Sequence, residues 1–322
     1  MTKPINSSII LNGVAHFALG DHNTIYTNLV SGPGGFVLDY WNHAVIFSAA
    51  NTYSGPTIIN NGPQVALTGN GSISNSALIF FGGNDPNSTH LDVSGRVDQT
   101  LTLASGQTLG GIGRVNGNLV VSSGATLAPA GTNTTIGITT GANPVGVIAA
   151  ANNVTLSGTT ILKLNGSGIN DAVQAGSNIT YGGTLNLVNI GGLPLAAGDS
   201  FHLFSAANYA GSFAAIIPAT PGEGLAWNTN QLSSGVISVV STSGSGPVIG
   251  SARLSGGNLI FNGSGGTANG TYYVLTATNL ATPLANWTPV QTNFYDASGN
   301  FNVTNAIVPG VPQLFYRINQ LP

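Results

Sequence analysis

The chain has 322 residues, of which 42% are hydrophobic and only 5% are Asp, Glu, Lys or Arg, with a net charge of −3 and no cysteine. Its length allows a large buried core, but a charged fraction far below the roughly 25% of an ordinary domain leaves the surface to Asn, Thr, Ser and main chain. No basic cluster exists to neutralise a run of phosphates, which argues against nucleic acid as a partner; disulfides and thiolate metal sites are excluded, and no run approaches the ~18 apolar residues of a membrane helix, so membrane insertion is not expected.

Helix is scarce on the same grounds. With one Glu and two Lys the charged helix formers are nearly absent, whereas abundant Gly with Val, Ile, Leu and Ala suits short strands joined by tight turns. Met1-Thr2-Lys3-Pro4 leads into Ile9-Ile10-Leu11, too short an apolar run for a signal-peptide core, so the sequence reads as a mature or trimmed product. Residues 1–44 are expected to form a strand or cap segment; the alternating stretch from Ser8 to Leu19 serves either as a first coil or as a strand added to a neighbouring subunit.

The clearest internal signal lies in the middle. Ser105-Gly106-Gln107-Thr108-Leu109 returns as Ser123-Gly124-Ala125-Thr126-Leu127, and Leu101-Thr102-Leu103 returns as Leu119-Val120-Val121, each 18 residues later. A looser copy at Val154 to Ile161 follows after an offset of 34, close to two further coils. A period near twenty with Gly at corners predicts a parallel β-helix (β-solenoid), in which Asn116, Asn118, Asn152 and Asn153 stack at turns. Strands at Leu185 to Val188, Phe201 to Phe204 and Val236 to Val240 close the module at 45–240. Residues 241–247, Ser-Thr-Ser-Gly-Ser-Gly-Pro, read as a linker. Strands at Leu254 to Phe261, Tyr272 to Ala277, Phe301 to Val303 and Leu314 to Ile318 then predict a small antiparallel β-sandwich over 248–322, with Trp287 as its core aromatic. The fold class expected is all-β throughout.

The run Asn51-Thr52-Tyr53-Ser54-Gly55-Pro56-Thr57 resembles the N-T-Y-x-G-x-T core of the autotransporter-associated β-strand repeat of large secreted bacterial proteins. Leu109-Gly110-Gly111-Ile112-Gly113-Arg114-Val115-Asn116-Gly117-Asn118-Leu119 is similar to the segment that trails it, and Gly182 to Leu187 with Ala197 to Phe201 resembles the end of such a passenger. The resemblance covers roughly residues 45–240. The remainder, with Tyr273 to Leu280, Trp287 and Phe315-Tyr316-Arg317-Ile318, looks like an immunoglobulin-like or fibronectin-like terminal sandwich of exported bacterial surface proteins. The sequence departs from a true autotransporter in having no terminal membrane barrel, so the transport mechanism is not implied. A solenoid at or outside the cell surface is.

Chemistry is sparse. Asp92, Arg96 and Asp98 read as a turn-capping ion pair rather than an acid and base. His16, His22 and His43 with Asp21 and Asp39 lack zinc spacing and read as surface groups. Gly111-Ile112-Gly113 reads as a corner, since the third Gly of a dinucleotide loop is displaced. No Gly-x-Ser-x-Gly elbow is present. The expectation is therefore no enzyme: catalytic residues none, cofactor-binding residues none, metal ligands none, cofactors none. The expected partner is the chain itself, in a filament, fibre or sheath built through strand edges; the alternative is an adhesin that meets surface glycans through exposed Tyr40, Trp41 and Tyr53, residues that read more readily as core or corner packing, and a third reading is a polysaccharide-active β-helix enzyme.

Overall fold

A computed structural model describes residues 3–17, 23–39, 44–60, 64–87, 89–130, 145–242 and 246–320. The chain is all-β, with 53% of it in strands and 2% helical. Contacts divide it into two compact units, Met1–Val240 and Ser241–Pro322.

The first unit is dominated by a seventeen-stranded parallel sheet, curled like a half-barrel. The curl is made by one long strand, Thr108–Asn116. Its first half lies beside Leu78–Gly82 and Thr126–Pro129, and its second half beside His90–Asp92 and Val147–Ala150. The bend falls at Gly111-Ile112-Gly113. Gly111 has φ +91°, and a Cβ there would sit 2.0 Å from the Phe81 carbonyl oxygen, while one on Gly113 would strike the Phe81 ring. Only glycine permits two layers to approach so closely at a corner.

A further parallel sheet of five strands runs from Thr100–Leu103 through Asn118–Val121, Val154–Leu156 and Asn178–Tyr181 to Asn208–Gly211. Here the 18-residue repeat has a direct structural meaning, because Leu101 lies opposite Leu119 and Leu103 opposite Val121. The next step corrects the sequence reading. Leu119 lies opposite Val154 and Thr126 opposite Thr159, so the offset of 34 is one layer lengthened by an insertion, not two coils. Strands from the first 44 residues join the same large sheet, Lys3–Ile5 beside Thr24–Tyr26 and these beside Ala44–Phe47.

Period-two alternation sends every second residue inward, and the register stacks these residues in rows. Leu101, Leu119, Val154 and Ile179 form one such row, each at most 4% exposed. Fully burying a side chain of this size is worth about 1.5–3 kcal/mol, and the rows repeat it in every layer. Aromatic rings continue the core in the N-terminal layers: Phe36 packs on Phe47 and on Tyr53, with ring centroids 5.4 Å apart in both pairs. One pairing departs from the parallel pattern: Ser200–His202 pairs antiparallel with Val236–Ser241, burying Phe201, Ile237 and Val239 against the same core.

The second unit holds two antiparallel three-stranded sheets. One orders Val248–Ser255, Asn258–Ser264 and Phe301–Ala306, and the other Thr288–Phe294, Thr271–Ala277 and Phe315–Gln320. The expected single strand from Leu254 to Phe261 is a hairpin, turned at Gly256 and Gly257 with φ +58° and +78°, the two-residue turn that suits strand twist. Its main core is Phe261, Tyr272, Val274, Tyr295, Phe301, Val303 and Ile318. Trp287 belongs instead to a smaller cluster with Leu275 and Ala277, because its indole Nε1 donates to the Thr282 carbonyl at 2.9 Å, holding the ring with its own loop.

Not every inward position is apolar. Thr160 lies between Leu127 and Leu185, fully buried, its hydroxyl without a hydrogen-bond partner. An unmade bond of this kind costs about 1–3 kcal/mol. Thr160→Val keeps the shape and removes the orphan, so it should raise the denaturant midpoint by a stabilisation of about 1 kcal/mol, with the slope of the urea transition unchanged.

Candidate functional site

The N-T-Y-x-G-x-T motif builds a buried corner. Asn51 bridges two neighbouring layers: its side-chain Oδ1 accepts from the Val30 main-chain N–H at 2.9 Å, and its main-chain N–H donates to the Ser72 carbonyl at 3.0 Å. The Tyr53 hydroxyl meets Thr57 Oγ1 at 2.7 Å, which meets Ser76 Oγ at 2.9 Å. Gln107 reaches back from a later layer, its Nε2 donating to the Ser76 carbonyl at 2.7 Å and its Oε1 accepting from the Ala104 amide at 2.8 Å. Gly55 is obligatory, since a Cβ would sit 2.4 Å from the Gly34 carbonyl carbon. Tyr53, Thr57 and Ser76 are each 0% exposed, and burial pushes the Tyr53 phenol well above its ordinary pKa.

This corrects the glycan reading, which needed an exposed Tyr53. The ring is packed against Phe36 and its hydroxyl is spent on Thr57, so no sugar reaches it. Tyr40 and Trp41 lie outside the described residues.

The stacked asparagines form a continuous ladder. Asn208 Nδ2 donates to Asn178 Oδ1 at 3.0 Å, Asn178 Nδ2 to Asn153 Oδ1 at 2.7 Å, and Asn153 Nδ2 to Asn118 Oδ1 at 3.0 Å. Asn118 passes the chain of bonds to the Gln99 carbonyl at 3.3 Å. Each amide is donor and acceptor at once, so side chains repeat what the backbone does beneath them. Asn116 ends its strand opposite Asp92 and is no part of this ladder.

The charged groups are engaged locally. Arg96 Nε lies 2.9 Å from Asp98 Oδ1, and the guanidinium also holds the Gly71 carbonyl. Its hydrogen bonds hold the Asp98 carboxyl below the usual carboxylate range. Asp92 does not join them; it accepts from the Ser94 amide and hydroxyl and from Gln64 Nε2. Among the N-terminal candidates the structure brings together His16 and Asp39, with Nδ1 to Oδ2 at 2.6 Å, whereas Asp21, His22 and His43 lie outside the described residues. No group of three His, Asp or Glu suited to a metal occurs among the described residues, and no helix there is long and apolar enough to cross a membrane.

Sequence reasoning missed a buried ion pair that the described residues form. Lys163 Nζ lies 2.8 Å from Asp171 Oδ2, with the side chains 4% and 0% exposed, and it also donates to the Pro129 carbonyl at 2.6 Å. The Asp171 carboxylate accepts from the Gly146 and Lys163 amides at 2.7 and 2.8 Å. Burial pushes its pKa up, against the pull of the ammonium and the amides. The only sequence signal was a Lys inside the apolar strand Thr159–Leu164.

Strand edges are the remaining feature. Among the described residues Lys3–Ile5, Ile9–Ile10 and Ala15–Phe17 each pair on one side only, with Thr24–Tyr26, Val30–Ser31 and Phe36–Leu38. Comparison with known protein families, curated proteins and solved structures finds no match to this chain.

Asn153→Ala breaks the ladder in its middle and should cost about 1–3 kcal/mol, two bonds at about 0.5–1.5 each. Lys163→Met strands a buried carboxylate and should cost about 3–5 kcal/mol. Urea unfolding followed by circular dichroism checks both, and Asn153→Ala is expected to be the milder.

Proposed function

We propose that this chain is an extracellular structural protein: a β-solenoid of the autotransporter-associated repeat kind followed by a small β-sandwich, joining other copies of itself through strand edges into a fibre or sheath. The parallel registers support the solenoid reading, because strands of the two parallel sheets recur in a fixed order, each beside its counterpart from the preceding layer. The two antiparallel sheets that share one core support the sandwich reading.

The observation that carries the assembly is the edge at Lys3–Ile5, Ile9–Ile10 and Ala15–Phe17. It offers unpaired main-chain groups, and beside them Ile10 and Val14 are 69% and 52% exposed. Natural edges are normally blunted by charge, proline or a bulge; here Lys3 and Pro4 share one short strand, and the strand Ile9–Ile10 has none of these. A second copy supplies a strand in register more readily than a charged partner would. The non-enzymatic reading is supported by Asp92, Asp98, Asp171 and Asp296, whose carboxylates are committed to turns or ion pairs.

Association should rise with protein concentration in sedimentation velocity and give fibres or sheets in negative stain. Ile10→Lys, which puts a charge on the edge without touching the core, should weaken association while leaving the unfolding midpoint in place. A protein that sediments as a monomer at every concentration, or an Ile10→Lys variant that assembles as well as the parent, overturns the proposal.

A further inference from the structure

The second unit carries an open cleft of about 670 Å³, lined among others by Tyr272, Asn293, Phe294, Tyr295, Asp296 and Asn302. Phe294 ends the strand Thr288–Phe294, which pairs with Thr271–Ala277 alone, and its ring is 71% exposed. Tyr272 and Tyr295 are 1% and 2% exposed, their rings 4.6 Å apart. The Tyr272 phenol is hydrogen-bonded to the Asn293 side chain. The Tyr295 hydroxyl is buried and has no partner.

The charge of the lining narrows the ligand. Asp296 is the one carboxylate of that lining, and it is locked into its turn: Oδ1 accepts from the Ser298 and Asn300 amides at 2.8 Å each, and Oδ2 from Asn300 Nδ2 at 3.0 Å. No cation lines the cleft, so a phosphate, sulfate or uronate would meet a carboxylate and nothing to balance it. What remains is aromatic surface, amides that both donate and accept, and one unsatisfied hydroxyl. That combination suits a ligand with apolar C–H faces and many neutral hydroxyls.

Strand geometry fixes its size. Neighbouring residues point to opposite sides of a strand, so Phe294 and Asn293 cannot meet the same ring. We propose that the cleft binds a neutral oligosaccharide that crosses the edge strand, with one sugar unit on Phe294, another on the Asn293 and Asn302 amides, and a ligand hydroxyl completing Tyr295. This site is separate from the edge association proposed above and stands or falls without it.

The full chain is titrated with a panel of neutral oligosaccharides of glucose, xylose, mannose and galactose, alongside polygalacturonate as the anionic control. Binding to at least one neutral member and none to the control is expected. Phe294→Ala and Asn302→Ala alter exposed side chains and should each weaken that binding by about tenfold, the loss of one good contact, with an unchanged melting temperature. Tyr295→Phe is the sharper test. Removing a buried hydroxyl that lacks a partner should leave the free protein equally or more stable yet weaken binding several-fold. Failure of every neutral oligosaccharide to bind, wild-type affinity in both Phe294→Ala and Asn302→Ala, or a Tyr295→Phe protein that is less stable with unaltered affinity, overturns the proposal.

Discussion

The structure of the first unit depends on hydrogen bonding between parallel layers of main chain. Each layer is too short to hold itself together: strands such as Val154–Leu156 and His90–Asp92 have three residues, and a strand of that length gains its bonds only from the layers on either side. Stability therefore accumulates layer by layer, and the conditions that let layers approach become the strictest demands on sequence. Glycine at positions 55, 111 and 113 answers one of them, since any side chain there would occupy the neighbouring layer's backbone or the Phe81 ring. The shortage of charge answers another. A charged side chain stacked on its own kind in successive layers would repel it, whereas Asn118, Asn153, Asn178 and Asn208 stacked in the same way bond to one another.

The interior treats polar groups in two ways. At the corner around Tyr53, every hydroxyl is tied to another or to a carbonyl, and the chain Tyr53, Thr57, Ser76, Gln107 links layers that are remote in sequence. The Lys163 and Asp171 pair does the same with charge, and its three surrounding bonds offset a desolvation that would otherwise be severe. Thr160 and Tyr295 stand apart, each with a buried hydroxyl left unmade. Thr160 sits in the middle of an apolar row, where no ligand has access, and reads as a cost the fold tolerates. Tyr295 lines an open cleft, and that difference in position is why the same defect has a different meaning there.

Much of this was legible in the sequence where the repeat is uninterrupted. Leu101-Thr102-Leu103 and Leu119-Val120-Val121 name their own register, because inward residues must stack and the spacing leaves one choice. The reading failed where the spacing was disturbed: the insertion after Pro129 lengthens one layer, and an offset of 34 looks like two short layers when only one is present. Leu254 to Phe261 failed for a related reason, since Leu254 before Gly256-Gly257 and the apolar run Leu259-Ile260-Phe261 after it hide a turn unless the glycine pair is given precedence over hydrophobicity. Tyr53 was legible as core or corner packing more readily than as a sugar platform, and the ring it packs on is Phe36. Lys163 and Asp171 could not be paired from sequence at all: their contact depends on a strand and the loop after it folding back together.

A surface with so little charge also governs how the molecule can meet others. Long-range steering needs a field, and with ionisable groups this few, some of them paired as Arg96 is with Asp98 and Lys163 with Asp171, the first unit projects a weak one. Encounters then proceed at the unassisted rate of docking two patches, and salt, which acts by screening charge, has little to act on. Whatever holds a partner must be short-range: main-chain groups at an edge, amides, aromatic faces. The contacts that stack one layer on the next within the chain are of the same kind, so the chemistry that folds this protein and the chemistry open to it for recognition are continuous.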